Sequence, residues 1–297
     1  PPRRGITFPG DTTSTTFEDA LQDYESAKEV LPPILDPSKR QHNFDRWWTW
    51  NFKEDKPGTE PSVITEGYLK DGPYSDDTEP LVLYHGSPRF AGTKFNPETA
   101  QTRDHGWWGE GFYFTNNKDL ASSYTKPASG YKLAADLTGS YEDPGEGEVL
   151  PVYVNMKNPF LYRYLDVDDL QKLEEVVGKP MTKTQRTRMV GRARAGMTKE
   201  LEQHIRNWAD GMDMGVSDLL SAAGYDGAVF EHSETPGSKE EPSFEVIVFD
   251  PKQIKSATGN IGLFNPRSDD FLTQLEQQKS KKNQQIMAQQ QMRQSAA

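Results

Sequence analysis

One short segment constrains the fold more than any other: Phe244-Glu245-Val246-Ile247-Val248-Phe249. In an extended strand successive side chains alternate between faces. Phe244, Val246 and Val248 then line one face, and Ile247 and Phe249 the other. A strand apolar on both faces sits inside a sheet and needs cover on two sides. A carboxylate within it is costly unless it is paired, working, or exposed at the strand's end. Glu245 is therefore a candidate functional residue as well as a structural constraint.

Cover is available from residues 166–223. Leu170, Leu173, Val176 and Val177 share one helical stripe. Leu201, Ile205, Trp208 and Ala209 make a second, and Val216, Leu219, Leu220 and Ala223 a third. Further strands are expected at Leu81–Tyr84, Gly111–Thr115, Val149–Val154 and Ala228–Phe230, with Asn158-Pro159 breaking the third. Leu120–Tyr124 reads as the first turns of a helix that Asn116 or Asn117 can cap. Residues 126–148 are rich in Gly, Ser and acids and read as a loop. The expectation is an α+β domain over 81–265, with a helical insertion at about 166–223.

Residues 1–80 read as an extension. Apolar spacing predicts a helix between Phe17 and Leu31, stopped by Pro32-Pro33. An aromatic cluster follows, Arg46-Trp47-Trp48-Thr49-Trp50-Asn51-Phe52, which either packs on the main domain or docks a partner. Residues 54–80, rich in Pro, Gly and acids, read as a linker or wrapping loop. Residues 266–297 are Gln-rich, expected as a lone polar helix or disorder and as a second place for a partner to dock.

The net charge of −11 disfavours sequence-independent nucleic-acid binding, which needs a basic surface, and suits a protein target with basic patches. The one local basic cluster, Lys183, Arg186, Arg188, Arg192 and Arg194, is either a solvated helix face or a target-contacting surface. The absence of Cys excludes disulfides, thiol nucleophiles and thiolate metal sites. The five His residues include no His-x-x-x-His pair, so no metal site is expected. There is no phosphate loop of the Gly-x-x-x-x-Gly-Lys type and no Gly-x-Gly-x-x-Gly; Asp166-Val167-Asp168-Asp169 lacks the Gly and distal Glu of a calcium loop. No apolar run approaches the ~20 residues of a membrane span. The opening Pro-Pro-Arg-Arg-Gly-Ile lacks Met and an apolar signal core, as expected of a processed product or a piece of a longer chain.

Three segments remain. His85 closes the strand at Tyr84 and precedes Gly86, where a ligand can approach the backbone closely. Tyr113 and Tyr124 lie eleven residues apart, on a strand and on the helix after it. That placement can bring two rings to one flat group, with a cation–π contribution if the group is positively charged. Taken singly, each of these residues is equally at home in a core.

Taken in order, Tyr84-His85-Gly86-Ser87, Gly111-Phe112-Tyr113-Phe114-Thr115 with Tyr124, and Ser243-Phe244-Glu245 resemble the motifs of the His-Tyr-Glu class of ADP-ribosyltransferases. This is the diphtheria-toxin-like class that includes the poly(ADP-ribose) polymerases. The run Val248-Phe249-Asp250-Pro251-Lys252-Gln253-Ile254-Lys255-Ser256-Ala257 with Gly259-Asn260 resembles the ADP-ribosyltransferase domains of phage and mobile-element polyvalent proteins. The resemblance covers roughly 81–265. It implies a split, strongly curved pair of β-sheets with flanking helices, binding NAD as substrate without a metal. It implies that His85 bonds the adenosine ribose and Gly86, with Ser87 beside it, the nicotinamide carboxamide. Tyr113 and Tyr124 would sandwich the nicotinamide, and Glu245 would stabilise the ribosyl cation. The implied activity is mono-ADP-ribosylation of a macromolecule, a host protein or a nucleic acid, by a phage or bacterial effector in the host cytoplasm. NAD hydrolysis, and a non-catalytic NAD-binding or structural module of a phage particle or polyprotein, are the alternatives. Ser243 stands where arginine-modifying enzymes of the Arg-Ser-Glu class carry Glu or Gln, so arginine is not indicated as acceptor. Trp107 and Trp108 are expected as a lid over NAD or as core.

Overall fold

The computed structural model describes residues 37–88, 94–95, 110–125, 147–197, 199–232, 243–258, 260 and 262–271. The expected helix at 17–31, Trp107, Trp108 and residues 272–297 lie outside them.

Among the described residues seven strands form one mixed sheet. In chain order the elements that build it are β3 (Leu83–Ser87), β4 (Phe112–Thr115), β5 (Glu148–Val154), β6 (Pro159–Leu161), β7 (Gly227–His232), β8 (Ser243–Val248) and β9 (Ile254–Ser256). A short ribbon of β1 (Trp50–Asn51) and β2 (Lys56–Pro57) stands apart. The order across the sheet is β6-β7-β8-β4-β3-β5-β9. All neighbours are antiparallel except β6 and β7.

The split expected of the sheet is present as a weak joint rather than a break. β3 holds five Cα pairs with β5, and β4 four with β8. Between β3 and β4 there is one, Tyr84↔Thr115.

β8 is central and covered on both sides, as its composition demands. Phe244, Val246 and Val248 join one buried cluster with Phe112, Phe114 and Leu83; Ile247 joins another with Ala228 and Phe230. The second is supplied by α4 (Val167–Val177), α5 (Lys183–Arg194), α6 (Lys199–Asp210) and α7 (Val216–Ala222). The stripes read from the sequence are its buried residues: Leu170 and Leu173, Leu201 and Ile205, Leu219 and Leu220. The Asp166-Val167-Asp168-Asp169 run is a capping box opening α4. Asp166 Oδ1 accepts from Asp168 N at 2.8 Å and Asp169 N at 3.0 Å, and Asp169 Oδ2 accepts from Asp166 N.

The first cluster is closed by the chain's two flanks. In α1 (Pro37–Trp48) Phe44, Trp47 and Trp48 are buried, and Phe44 meets Tyr153 and Phe264 edge-on at 5.5 and 5.0 Å. The 46–52 cluster is accordingly no partner-docking patch at Trp47, Trp48 or Trp50; its rings gain more by burial in the domain core than in water. The segment read as linker contains α2 (Glu66–Asp71), capped by Thr65 and burying Leu69. Residues 266–271, grouped by composition with the polar tail, bury Phe271 in the same cluster.

Three boundaries differ from expectation. β3 runs on through His85, Gly86 and Ser87, because β5 offers partners for all three at Leu150, Val149 and Glu148. Pro159 opens β6 instead of merely ending β5, and Pro is tolerated there at the first residue of an edge strand. α3 (Lys118–Ser123) is a single short helix that stops at Tyr124.

Three of the five cations on α5 form ion pairs within the fold, sharing two carboxylates. Arg186 Nε binds buried Glu174 at 2.7 Å, Arg188 binds Glu200 at 2.7 Å, and Arg192 binds Glu200 as well. This is the solvated-face reading, with one buried pair added. No described helix is long and apolar enough to cross a membrane.

Candidate active site

Glu245 opens the arrangement. It is half-buried near the start of β8, in register with Thr115 on β4 and Phe230 on β7. Thr115 is in turn the residue that meets Tyr84 on β3. One row therefore crosses four strands, Phe230–Glu245–Thr115–Tyr84, and passes through the weak joint of the sheet. Cross-strand partners share a face, so Glu245, Thr115 and, two residues before it, Tyr113 lie on one side.

Past Tyr84 the two strands part, and a side chain spans the gap. His85 Nδ1 lies 2.8 Å from the Tyr113 carbonyl oxygen. A carbonyl only accepts, so Nδ1 carries the proton and Nε2 of the neutral ring is left as an acceptor. Burial pushes the His85 pKa below its ordinary value, partly opposed by that hydrogen bond, which keeps the ring neutral at pH 7. Its ring is fixed edge-on to Phe95 at 5.2 Å and tilted on Phe114 at 5.6 Å. Those contacts lie on the opposite face from Glu245. His85 and Tyr113 thus meet across the gap between strands, while Glu245 stands on β8, beside β4 and on the Tyr113 face.

The ladder also decides what Gly86 presents. Asn116 Oδ1 accepts from Phe244 N at 2.7 Å, so Phe244, Val246 and Val248 turn their N–H groups toward β4. Their partners Phe114 and Phe112 face back toward β8, which leaves Tyr113 and Thr115 facing β3. Tyr84 and Gly86 then face β4. Tyr84 meets Thr115, but among the described residues Gly86 has no strand opposite on this side, and its N–H and C=O turn toward the gap.

Packing by itself requires glycine at position 86. A Cβ there would sit 1.8 Å from the Ala121 carbonyl oxygen and 3.0 Å from Tyr124 Cβ. α3 makes a close approach to its Cα. That approach seats Tyr124, 58% exposed, beside the gap. Tyr113 is half-buried against the helical cluster. Ser87 is buried opposite Glu148 on β5, so its side chain is set back from the opening.

Thr115-Asn116-Asn117 ties these parts together, and only one of its roles was visible as a helix cap. Thr115 Oγ1 accepts from Asn117 N at 3.1 Å. Asn117 Oδ1 accepts from Asp119 N and Leu120 N at 3.0 Å and caps α3. Among the described residues no group of three or more His, Cys, Asp or Glu side chains is placed to hold a metal ion. A cavity of about 800 Å³, lined by Thr49, Gly58, Ser62, Tyr68, Asp77 and Lys157 among others, includes none of the four motif residues.

This geometry accompanies a match over most of the domain. The family described as ADP-ribosyltransferase in polyvalent proteins matches residues 75–264. The chain belongs to that family. ADP-ribosylation is therefore its general activity, as a transferase that uses NAD as substrate, and the mixed α+β sheet with its helices is an ADP-ribosyltransferase fold. No curated protein and no solved structure matches the chain.

Proposed function

We propose that this ADP-ribosyltransferase is of the diphtheria-toxin-like class, cleaves NAD at the nicotinamide–ribose bond and transfers ADP-ribose to a macromolecular acceptor. The observation that carries the reading is the gap between β3 and β4. Around it stand a neutral imidazole acceptor, the Gly86 backbone N–H and C=O turned toward β4, and two tyrosines, with the Glu245 carboxylate across β4 on β8.

Each group has work that its geometry suits. His85 Nε2 accepts from a hydroxyl of the adenosine ribose. Gly86 N–H and C=O match the carbonyl and amine of the nicotinamide carboxamide, a two-point contact of the kind a strand offers to a new partner. Tyr113 and Tyr124 flank the nicotinamide, whose positive ring favours aromatic faces. Departure of nicotinamide leaves an oxocarbenium-like ribose, as in glycoside cleavage. In this reading the Glu245 carboxylate stabilises that charge, and interactions made only in the transition state are the ones that raise rate.

The acceptor is proposed to be a protein. The acidic chain suits a target with basic patches, and Arg186, Arg188 and Arg192 of the basic α5 cluster are paired internally. An effector role in a host cell, phage-delivered, is part of the proposal. Incubation with labelled NAD and host lysate should label a protein band and release nicotinamide, and Glu245→Ala should lose both. Free ADP-ribose as the sole labelled product would assign NAD hydrolysis instead. NAD binding with no product at all would leave a binding module.

A further inference from the structure

We infer that Asn116 is a positioning residue for Glu245, acting through the backbone of β8. The inference rests on the assignment of Glu245 to the cleavage step. β4 ends at Thr115, one residue short of what β8 needs. Glu245 is paired with Thr115, but Phe244, just before it, turns its N–H toward a strand that has already left the sheet for α3. Asn116 supplies the missing acceptor from its side chain, Oδ1 to Phe244 N at 2.7 Å, across 128 residues of sequence. The amide orientation is fixed by chemistry, because Nδ2 cannot accept from an N–H.

The placement matters because Glu245 stands beside the last ladder pair on this side of β8. On the other side β7 pairs up to Ser243; toward β4 the strand pairing ends at Thr115, and the Asn116 side chain continues it to Phe244 N. Without the Asn116 bond the first turn of the β8 ladder frays on its β4 side, and the carboxylate loses its fixed distance to the gap. A shift of about 1 Å in a group that acts electrostatically in the transition state costs on the order of 100-fold in rate.

The neighbouring Asn117 provides an internal contrast. It caps α3 and so sets Tyr124, a group for binding NAD and not for stabilising the cation. The two adjacent asparagines should therefore divide the kinetic constants. Asn116→Ala should lower kcat for nicotinamide release by about 10- to 100-fold with KM for NAD within about twofold of wild type. Asn117→Ala should raise KM with less effect on kcat. Asn116→Asp keeps an acceptor oxygen at the same reach and should recover most of kcat.

The experiment is steady-state nicotinamide release by the full chain, with melting temperatures recorded for all three variants and for Glu245→Ala. Wild-type kcat in Asn116→Ala, or no recovery in Asn116→Asp, overturns the inference. A fall in kcat that scales only with lost melting temperature overturns it too, since a merely structural residue would behave so. If Glu245→Ala turns over like wild type, the assignment of the site itself has failed, and a normal Glu245→Ala loss beside an unaffected Asn116→Ala defeats the positioning role alone.

Discussion

At the scale of single residues, Glu245 and Gly86 teach different lessons. Glu245 was legible because its neighbours are apolar on both faces, an anomaly visible in six residues. Glu245→Ala should reduce nicotinamide release by about 10²–10³-fold, the cost of losing one electrostatic stabiliser, while calorimetric NAD affinity stays within a few-fold. An equal loss in affinity would mean that Glu245 binds the ground state instead. Gly86 was legible as a glycine but not in its reason. Its Cα faces the Ala121 carbonyl at a separation no Cβ can enter, and no spacing rule connects residue 86 with residue 121. Gly86→Ala must push α3 away. Denaturant unfolding should show a loss of about 1–3 kcal/mol, with KM for NAD raised because Tyr124 moves with the helix. Unchanged stability would show that α3 yields freely, and would remove the packing account of this glycine. His85 became intelligible only with its partner. The proton on Nδ1 is set by the Tyr113 carbonyl, which lies 28 residues away in the chain.

Among the elements, helices were easier to read than strands. A helix carries its own period, so the stripes of α4, α6 and α7 could be found without knowing what they cover. Short strands carry little period, and β6 and β9, three residues each, were missed. What neither signal reveals is pairing across the helical layer. The basic run on α5 read as a solvated face, yet Arg186 reaches Glu174 on α4, whose side chain is 5% exposed. Arg186→Leu would leave that carboxylate buried and alone. A loss of about 3–5 kcal/mol is expected, much of it restored in a variant that also carries Glu174→Leu. The exposed pair Arg188–Glu200, at 59% and 36%, is the control: Arg188→Ala should cost about 0–1 kcal/mol. Similar losses at both sites in equilibrium unfolding would contradict the buried-pair argument.

Over the whole molecule, two lysine amines, Lys255 buried and Lys157 half-buried, staple the flanks to the sheet. Lys157 donates to the Trp48 and Glu60 carbonyls at 2.6 and 2.7 Å, and Lys255 to those of Ser268 and Asp270 at 2.7 and 3.0 Å. Burial pushes each amine down to about 7, against opposing acids that only partly restore it: Asp226 and Glu60 for Lys157, Asp270, Asp269 and Asp250 for Lys255. An unfolded lysine keeps its proton to about pH 10.4, so between those values the unfolded chain binds more protons than the folded one. Stability should consequently rise with pH from about 7 toward 10, and fall again above that as Tyr68, held up at about 12 by burial and Asp226, favours its protonated form in the fold. Equilibrium unfolding across this range checks the slope. Lys255→Met should flatten it, and an unaltered slope would show that Lys255 titrates normally.

The sequence by itself determined that a central strand with a carboxylate lies between two apolar layers, that amphipathic helices supply one of them, and that the ordered motifs belong to an ADP-ribosyltransferase. These follow from local composition, periodicity and order, which the chain carries within each element. Only the tertiary structure decided that β3 and β4 meet at a single pair and then part. It also decided that His85 spans the opening, that Gly86 turns its backbone into it, and that Asn116 completes the ladder beside Glu245. Those depend on which strands become neighbours and in what register. Register fixes the direction of every backbone N–H and every side chain, and two strands remote in sequence can set it only by packing together.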